Sequence, residues 1–261
     1  MANSLAALRR SLTRRRGPPA PIPDVEPAAE PQSEPDPRYL TAMGLVRTEL
    51  ARRYLRGAGI EFGALDFPLS LPPGATVTYA DFQPVDRVKE LFSVESVTVP
   101  QIFTDLESMH GIAPDSQDFI VANHVLEHVE DPLKALRSIA RVLRSGGIAY
   151  LALPDKRFTF DKDREITPLA HLLRDHAEGP DWSLAGHYEE WVRVVDGLTG
   201  EAHAQKLAIM LAQRANIHFH VWDLVAMMEL FGHVERDPSY GLQIENATLN
   251  PVEVVWILRK R

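Results

Sequence analysis

The sequence has no cysteine. Disulfides, thiolate-bound zinc and a cysteine nucleophile are therefore excluded, a usage that fits a reducing cytoplasm. Long apolar runs are missing as well: nothing approaches the ~18 to 20 residues of a membrane span. The opening stretch MANSLAALRRSLTRRRGPPAP follows its positive charges with no sustained apolar core, unlike a secretory signal. No stable membrane insertion and a cytoplasmic location are the resulting expectations. Positive charge is in deficit, with 28 Lys and Arg against 36 Asp and Glu and a net charge of -8. Such a balance offers no general attraction for nucleic-acid phosphates, so no nucleic-acid partner is expected. Glycine is sparse where a nucleotide-binding loop would use it. In GIEFGALDFPLSLPPGATVTYADFQP, residues 59–84, only Gly63 stands where several glycines would be expected after the first apolar run.

What is present suits a folded domain. The 261 residues are 45% hydrophobic and 25% charged, enough for one large domain or one domain with an insert. Residues 1–37 differ from the rest: Arg9, Arg10, Arg14, Arg15 and Arg16 precede the Pro- and Glu-rich GPPAPIPDVEPAAEPQSEPDP. That composition buries too little apolar area to offset its ordering entropy and predicts a flexible tail. Its arginines are either an anchor for an acidic partner or membrane surface, or charges answered by nearby acids.

Regular patterning occupies residues 38–261. RYLTAMGLVRTELARRYLRGAG spaces Leu40, Met43, Leu45, Leu50 and Leu55 as a helical face. Short strands follow at about 58–62, 76–81, 97–102, 118–123 and 147–153. DPLKALRSIARVL reads as a helix with Asp131 as N-cap and Pro132 at its first position. The alternation predicts an α/β fold with a largely parallel sheet and ligand at the carboxyl ends of its strands. Residues 156–217 carry helical patterns, ITPLAHLLRDHA and GEAHAQKLAIMLAQRA, and predict a helical insert over that edge. VWDLVAMMELFG predicts a further helix, while HVERDPSY and PVEVVWILRK predict a closing antiparallel hairpin.

The series GIEFGALD, VTYADF, IFTDLES, DFIVANHVLEHVEDP and RVLRSGGIAYLALPD resembles, in order and spacing, the S-adenosylmethionine-dependent methyltransferases with a Rossmann-like fold. The likeness covers about residues 55–155, and the last two strands extend it. It implies a seven-stranded, mostly parallel sheet with helices on both faces and an antiparallel last strand, with S-adenosylmethionine as cofactor. On this resemblance Glu61, Gly63 and Ala64 would line the methionine end, and Asp81 with Phe82 the ribose. Asp105 with Leu106 would face the adenine, and Asn123 and His124 the sulfonium and acceptor. Leu65 and Phe67 depart from the family by standing where later glycines would fall. A methionine-derived cofactor has no pyrophosphate to cradle, so it tolerates fewer glycines than a dinucleotide. The PL and PPG of this loop resemble a variant in methyltransferases of bacterial polysaccharide gene clusters.

The implied reaction is methylation of a glycan or small-molecule acceptor, with O-methylation of a bacterial sugar-containing acceptor as the leading expectation. A lipid, quinone or natural-product acceptor is the alternative, and a noncatalytic binding module the rival from another class. No NPPY-type motif of base methylation occurs. An oxygen acceptor gains from a general base, and imidazole titrates in the suitable range. His124, His218 and His220 are the catalytic candidates. On an extended segment His218 and His220 in NIHFHVWD would share a face, suited to a base beside a sugar-binding group or to two ligands of one metal. Asp155 and His187 would complete a metal site only if the insert folded back, and no metal is expected. In LEHVEDP, Glu127 and His128 are read as serving packing and turn geometry. Trp182, Tyr188, Trp191 and Trp222 suit either sugar faces or the pinning of a lid. The sequence does not specify an oligomeric state.

Overall fold

The structure is a computed structural model that describes residues 37–83 and 97–261. The expected tail through residue 36 lies outside the described residues. Seven strands form one sheet: β1 (Ala58–Phe62), β2 (Thr76–Asp81), β3 (Ile102–Phe103), β4 (Gln117–Asn123), β5 (Leu143–Pro154), β6 (Leu242–Asn250) and β7 (Glu253–Lys260). Their order is β3-β2-β1-β4-β5-β7-β6. The first five run parallel, and β7 lies antiparallel between β5 and β6. The expected fold class is thus the observed one. The chain order reverses between β1 and β4, and the carboxyl ends of these strands form the crevice where such sheets bind ligands.

The described helices are α1 (Pro37–Tyr54), α2 (Pro132–Val142), α3 (Leu169–Glu178), α4 (Asp181–Glu190), α5 (Gly200–Gln213) and α6 (Leu224–Arg236). Strand periodicity sorts the core into two layers. Ile60, Phe62, Ala122 and Leu151 pack with Leu133 and Leu136 of α2 and Met227 of α6. On the other face Phe119, Val121, Tyr150 and Val255 pack with Leu50 and Ala51 of α1. Asp131 caps α2 by accepting from the Lys134 amide at 2.9 Å, and Pro132 opens its first turn. Asp223 does the same for α6 through Ala226 N at 2.9 Å. Residues 156–217 hold 3-10, α- and π-helical segments and, among the described residues, no strand. They build a core of their own from Tyr188, Trp191, Val192, Met210, Ile217 and Phe219. Among the described residues no helix is long and apolar enough to cross a membrane.

Three sequence expectations shift. The strand expected at 97–102 pairs only at Ile102 and Phe103, because Pro100 has no N–H to donate to a ladder. HVERDPSY is not a strand: α6 continues through Arg236 with Val234 buried, and Asp237 then caps a 3-10 turn at Ser239. The first arm of the hairpin is instead Leu242–Asn250. In α1, Leu45 is exposed, and the inward stripe is Met43, Arg47, Leu50 and Ala51.

Arg47 therefore occupies a core position, and a buried guanidinium needs a partner. Its Nε and Nη2 donate to Oε1 and Oε2 of Glu253 at 2.9 and 2.5 Å. Asn250 Nδ2 also donates to Oε1, at 2.6 Å. Burial alone would raise the Glu253 pKa, but hydrogen bonds from His124 and Arg47 outweigh it and hold the carboxyl down at about 2. Because the folded pKa lies below the ordinary 4.5, this stabilisation is full above pH 4.5 and fades as pH falls toward about 2. Glu253→Gln is expected to cost ~3 to 5 kcal/mol at pH 7 by leaving Arg47 uncompensated, with the gap to wild type closing on acidification. Urea unfolding of both proteins at pH 7 and pH 3 measures this, and a gap independent of pH would contradict it.

Candidate functional site

The loop leaving β1 is shaped by two left-handed residues. Gly63 has φ 62°, and a Cβ there would lie 2.8 Å from Val125 Cγ2, so a side chain is excluded by both conformation and space. Leu65 has φ 46°, the region that a glycine would enter without cost. The leucine holds it at an expense of about 1 to 2 kcal/mol, helped by the hydrogen bond from Thr98 N to Leu65 O at 2.7 Å. The glycine-like backbone is therefore kept at a position where the glycine is not.

Glu61 lies under this loop. It is buried, and its Oε1 accepts from Leu69 N at 2.9 Å, which pins the far end of the loop. Burial raises its pKa to about 7, against the lowering effects of the Leu69 amide and Arg47. A shallow, open pocket is lined by Ala64, Leu65, Tyr79, Asp81, Thr98 and Pro100, among others. Asp81, at the end of β2, accepts from Gln83 N at 3.0 Å. Burial raises its pKa, offset in part by the amides of Gln83 and Phe82. Phe82 is exposed and Leu106 is buried in the core. Asp105 accepts from Ser108 N at 2.7 Å and Ser108 Oγ at 2.6 Å. Although burial raises its pKa, these bonds prevail and hold it below the usual carboxylate value.

At the end of β4, both amide atoms of Asn123 are buried without a hydrogen-bond partner among the described residues. An unsatisfied buried amide costs about 1 to 3 kcal/mol. His124 follows with φ 53°, its amide donating to Ala152 O at 2.9 Å. Its Nε2 lies 2.7 Å from Glu253 Oε2, and its Nδ1 3.8 Å from Glu127 Oε1. Since Glu253 is ionised, Nε2 carries the proton and Nδ1 holds the lone pair of the neutral ring. Glu127 is 1% exposed, and both its carboxyl oxygens lack hydrogen-bond partners among the described residues. Burial raises its pKa, opposed by His124 and His218. Glu127 lies in the 3-10 turn Leu126–His128, the packing and turn setting expected of it, with its carboxyl next to the His124 ring.

His218 and His220 do not share a site. Phe219 N and His220 N both donate to Glu127 O, at 2.8 and 3.2 Å, so the backbone bends where an extended segment was expected and the two rings diverge. His218 Nδ1 pairs with Asp161 Oδ2 at 2.7 Å, and its ring meets His128 edge-on at 4.6 Å between centroids. His220 turns toward His171 and His187, with centroids 5.9 and 5.4 Å away. Asp155 is taken by Arg157, whose Nη2 lies 2.6 Å from its Oδ2. Tyr188, Trp191 and Trp222 are buried in cores, whereas Trp182 is exposed.

A family model for the methyltransferase domain matches residues 41–206. The chain belongs to the methyltransferase-domain family. Its cofactor is S-adenosylmethionine, as in that family. A polyketide synthase-nonribosomal peptide synthetase of Aspergillus clavatus is 27% identical over 173 residues, 61% of this chain and 4% of that protein. A ubiquinone biosynthesis O-methyltransferase of Xanthomonas campestris pv. campestris is 37% identical over 81 residues, 30% of this chain and 34% of that one. The chain thus spans a small fraction of the first relative and about a third of the second. Among solved structures, a Rhodobacter sphaeroides chain provisionally assigned to the Zn-dependent alcohol dehydrogenases aligns with TM-score 0.51 and 15% identity, covering 83% of this chain and 90% of that one. At that identity the likeness concerns the fold alone.

The residues present fit the family's cofactor. The pocket beside Asp81 offers a carboxylate acceptor, Gly63 keeps the loop free of a side chain at its first turn, and the Asn123 amide has polar atoms without a partner among the described residues. Glu61 underlies the crevice and has a distinct pH signature. With its folded pKa raised from 4.5 to about 7, the folded state binds the extra proton, and stability declines as pH rises through that interval. Relative to wild type, Glu61→Gln is expected to gain stability between pH 5 and pH 8, read as the difference in thermal midpoint. A flat difference would refute the raised pKa.

Proposed function

We propose that the protein methylates a hydroxyl of a sugar-containing acceptor. The observation that carries this reading is the His124–Glu253 pair at the carboxyl end of β4, next to the unsatisfied Asn123 amide. S-adenosylmethionine, when bound, supplies a sulfonium-activated methyl group open to in-line displacement. Asp81 would accept from the ribose hydroxyls, an acceptor-only role that suits a carboxylate. Gly63 and Ala64 would present backbone to the methionine end, and Asn123 would satisfy its amide on the bound molecule. His124 Nδ1 would take the proton leaving the acceptor hydroxyl, and the Glu253 carboxylate on Nε2 would stabilise the imidazolium so formed. The residues near this ring are polar: Glu127 faces it, with His128 and His218 behind Glu127. Such surroundings support a polyhydroxylated acceptor over a greasy one.

A phenolic acceptor of quinone type is the second reading, favoured by the identity to the Xanthomonas O-methyltransferase.

Calorimetric titration with S-adenosylmethionine tests the cofactor site, with Asp81→Ala expected to bind ~10- to 30-fold more weakly, the scale of a lost charged hydrogen bond. His124→Ala should retain cofactor binding while kcat falls ~100- to 10,000-fold, the range of a general base. Turnover is to be compared on nucleotide sugars, oligosaccharides and catechols. Methylation of catechols alone would reverse the order of the two readings, and failure of the folded protein to bind the cofactor would remove both.

A further inference from the structure

The insert contains a second cluster of chemistry-bearing side chains that methyl transfer does not use. His171 and Asp175 stand one turn apart on α3, His187 projects from α4, and His220 comes from the segment that precedes α6. One ligand-capable atom from each of the four lies within 4.8 Å of the others. His171 Nε2 is 3.2 Å from His187 Nε2 and 3.1 Å from Asp175 Oδ2. Ligands at ~2.0 to 2.1 Å from a tetrahedral ion would be about 3.3 Å apart, so two edges of the cluster already have that length.

Hydrogen bonding within the cluster leaves it unsatisfied. His220 is 1% exposed and Asp175 fully buried, yet His220 Nδ1 and Asp175 Oδ2 have no aligned hydrogen-bond partner among the described residues. The opposite sides of the same two groups are engaged. His220 Nε2 lies 3.2 Å from Glu130 O, and Asp175 Oδ1 accepts from Ser183 Oγ at 2.9 Å. This is the outer support that metal-binding imidazoles and carboxylates usually have: the far ring nitrogen donates to a backbone carbonyl, which fixes the tautomer and leaves the near nitrogen's lone pair inward.

We propose that His171, Asp175, His187 and His220 form a binding site for a divalent transition metal, zinc in class. Three imidazoles and one carboxylate, without thiolate, select a borderline ion such as Zn2+ over Mg2+ or Ca2+. Four protein ligands close a tetrahedral shell, the form of a structural site. The ion would tie α3 and α4 to the segment at His220. Through Glu130 O and Glu127 O, which accept from the His220 ring and amide, it would tie them to the turn after β4 as well. Its role would be to fix the insert beside the catalytic crevice. The assignment is independent of the methyl-transfer reading.

The full chain, stripped with chelator and titrated with Co2+ and Zn2+, tests it. About one Co2+ per chain is expected, with the intense visible absorption of tetrahedral coordination, displaced by Zn2+ and accompanied by a rise in thermal midpoint. Asp175→Asn and the partly exposed His171→Ala should each weaken binding by more than the ~10- to 100-fold typical of outer partners, while His203→Ala should not. His187→Ala provides a third removal, and circular dichroism of the stripped proteins establishes that each is folded. Absence of stoichiometric Co2+ binding by the folded wild type would overturn the proposal. So would binding that survives all three removals, or that is lost only on His128→Ala, which would place the ion at the Glu127, His128 and His218 group instead.

Discussion

Glu253 is the carboxylate on which the meeting of α1, β4 and β6 depends. Its two oxygens are shared by Arg47 of α1, Asn250 at the end of β6 and His124 at the end of β4, three segments far apart in sequence. A buried ion pair seldom adds net stability over an apolar substitute, because desolvation offsets the attraction. Its contribution here is positional. The carboxylate fixes the His124 proton on Nε2 and leaves the lone pair on Nδ1. The same group holds α1 against the sheet, so the fold and the orientation of the imidazole are maintained by one constraint.

Much of the sheet was legible because parallel strands buried on both faces leave continuous apolar runs bounded by turn residues. β1, β2 and β4 appear in the sequence almost at their structural limits. Motif order likewise revealed the fold family. The less legible parts depended on tertiary partners. Arg47 shares a helical face with Met43, Leu50 and Ala51 but reads as a surface residue by its charge, because its buried counter-charge lies 206 residues later in the chain. The divergence of His218 and His220 required the Glu127 carbonyl, which accepts both neighbouring amides. Glu127 is the turn residue it looked like, but the isolation of its carboxyl from hydrogen-bond partners among the described residues is a property of the surrounding shell rather than of its own segment.

The first loop shows how a family signature can change while its geometry persists. A glycine is favoured at a left-handed position because it enters without steric cost, not because other residues are forbidden. Leu65 adopts the same region with backbone support from Thr98, and Glu61 anchors the far end of the loop through Leu69. The lost glycine is compensated by fixation elsewhere, so counting glycines underestimates the site.

The placement of β7 has a consequence for the order in which the molecule matures. Until that strand arrives, β5 presents an open, apolar edge, with Tyr150, Leu151 and Ala152 lacking the neighbours they later pair with. A nascent chain with β1 to β5 already assembled would therefore resemble a sheet awaiting augmentation, a species open to intermolecular pairing. The strand that closes this edge also delivers Glu253 at its first residue. The strand that conceals the adhesive edge is therefore also the one that completes the imidazole–carboxylate pair.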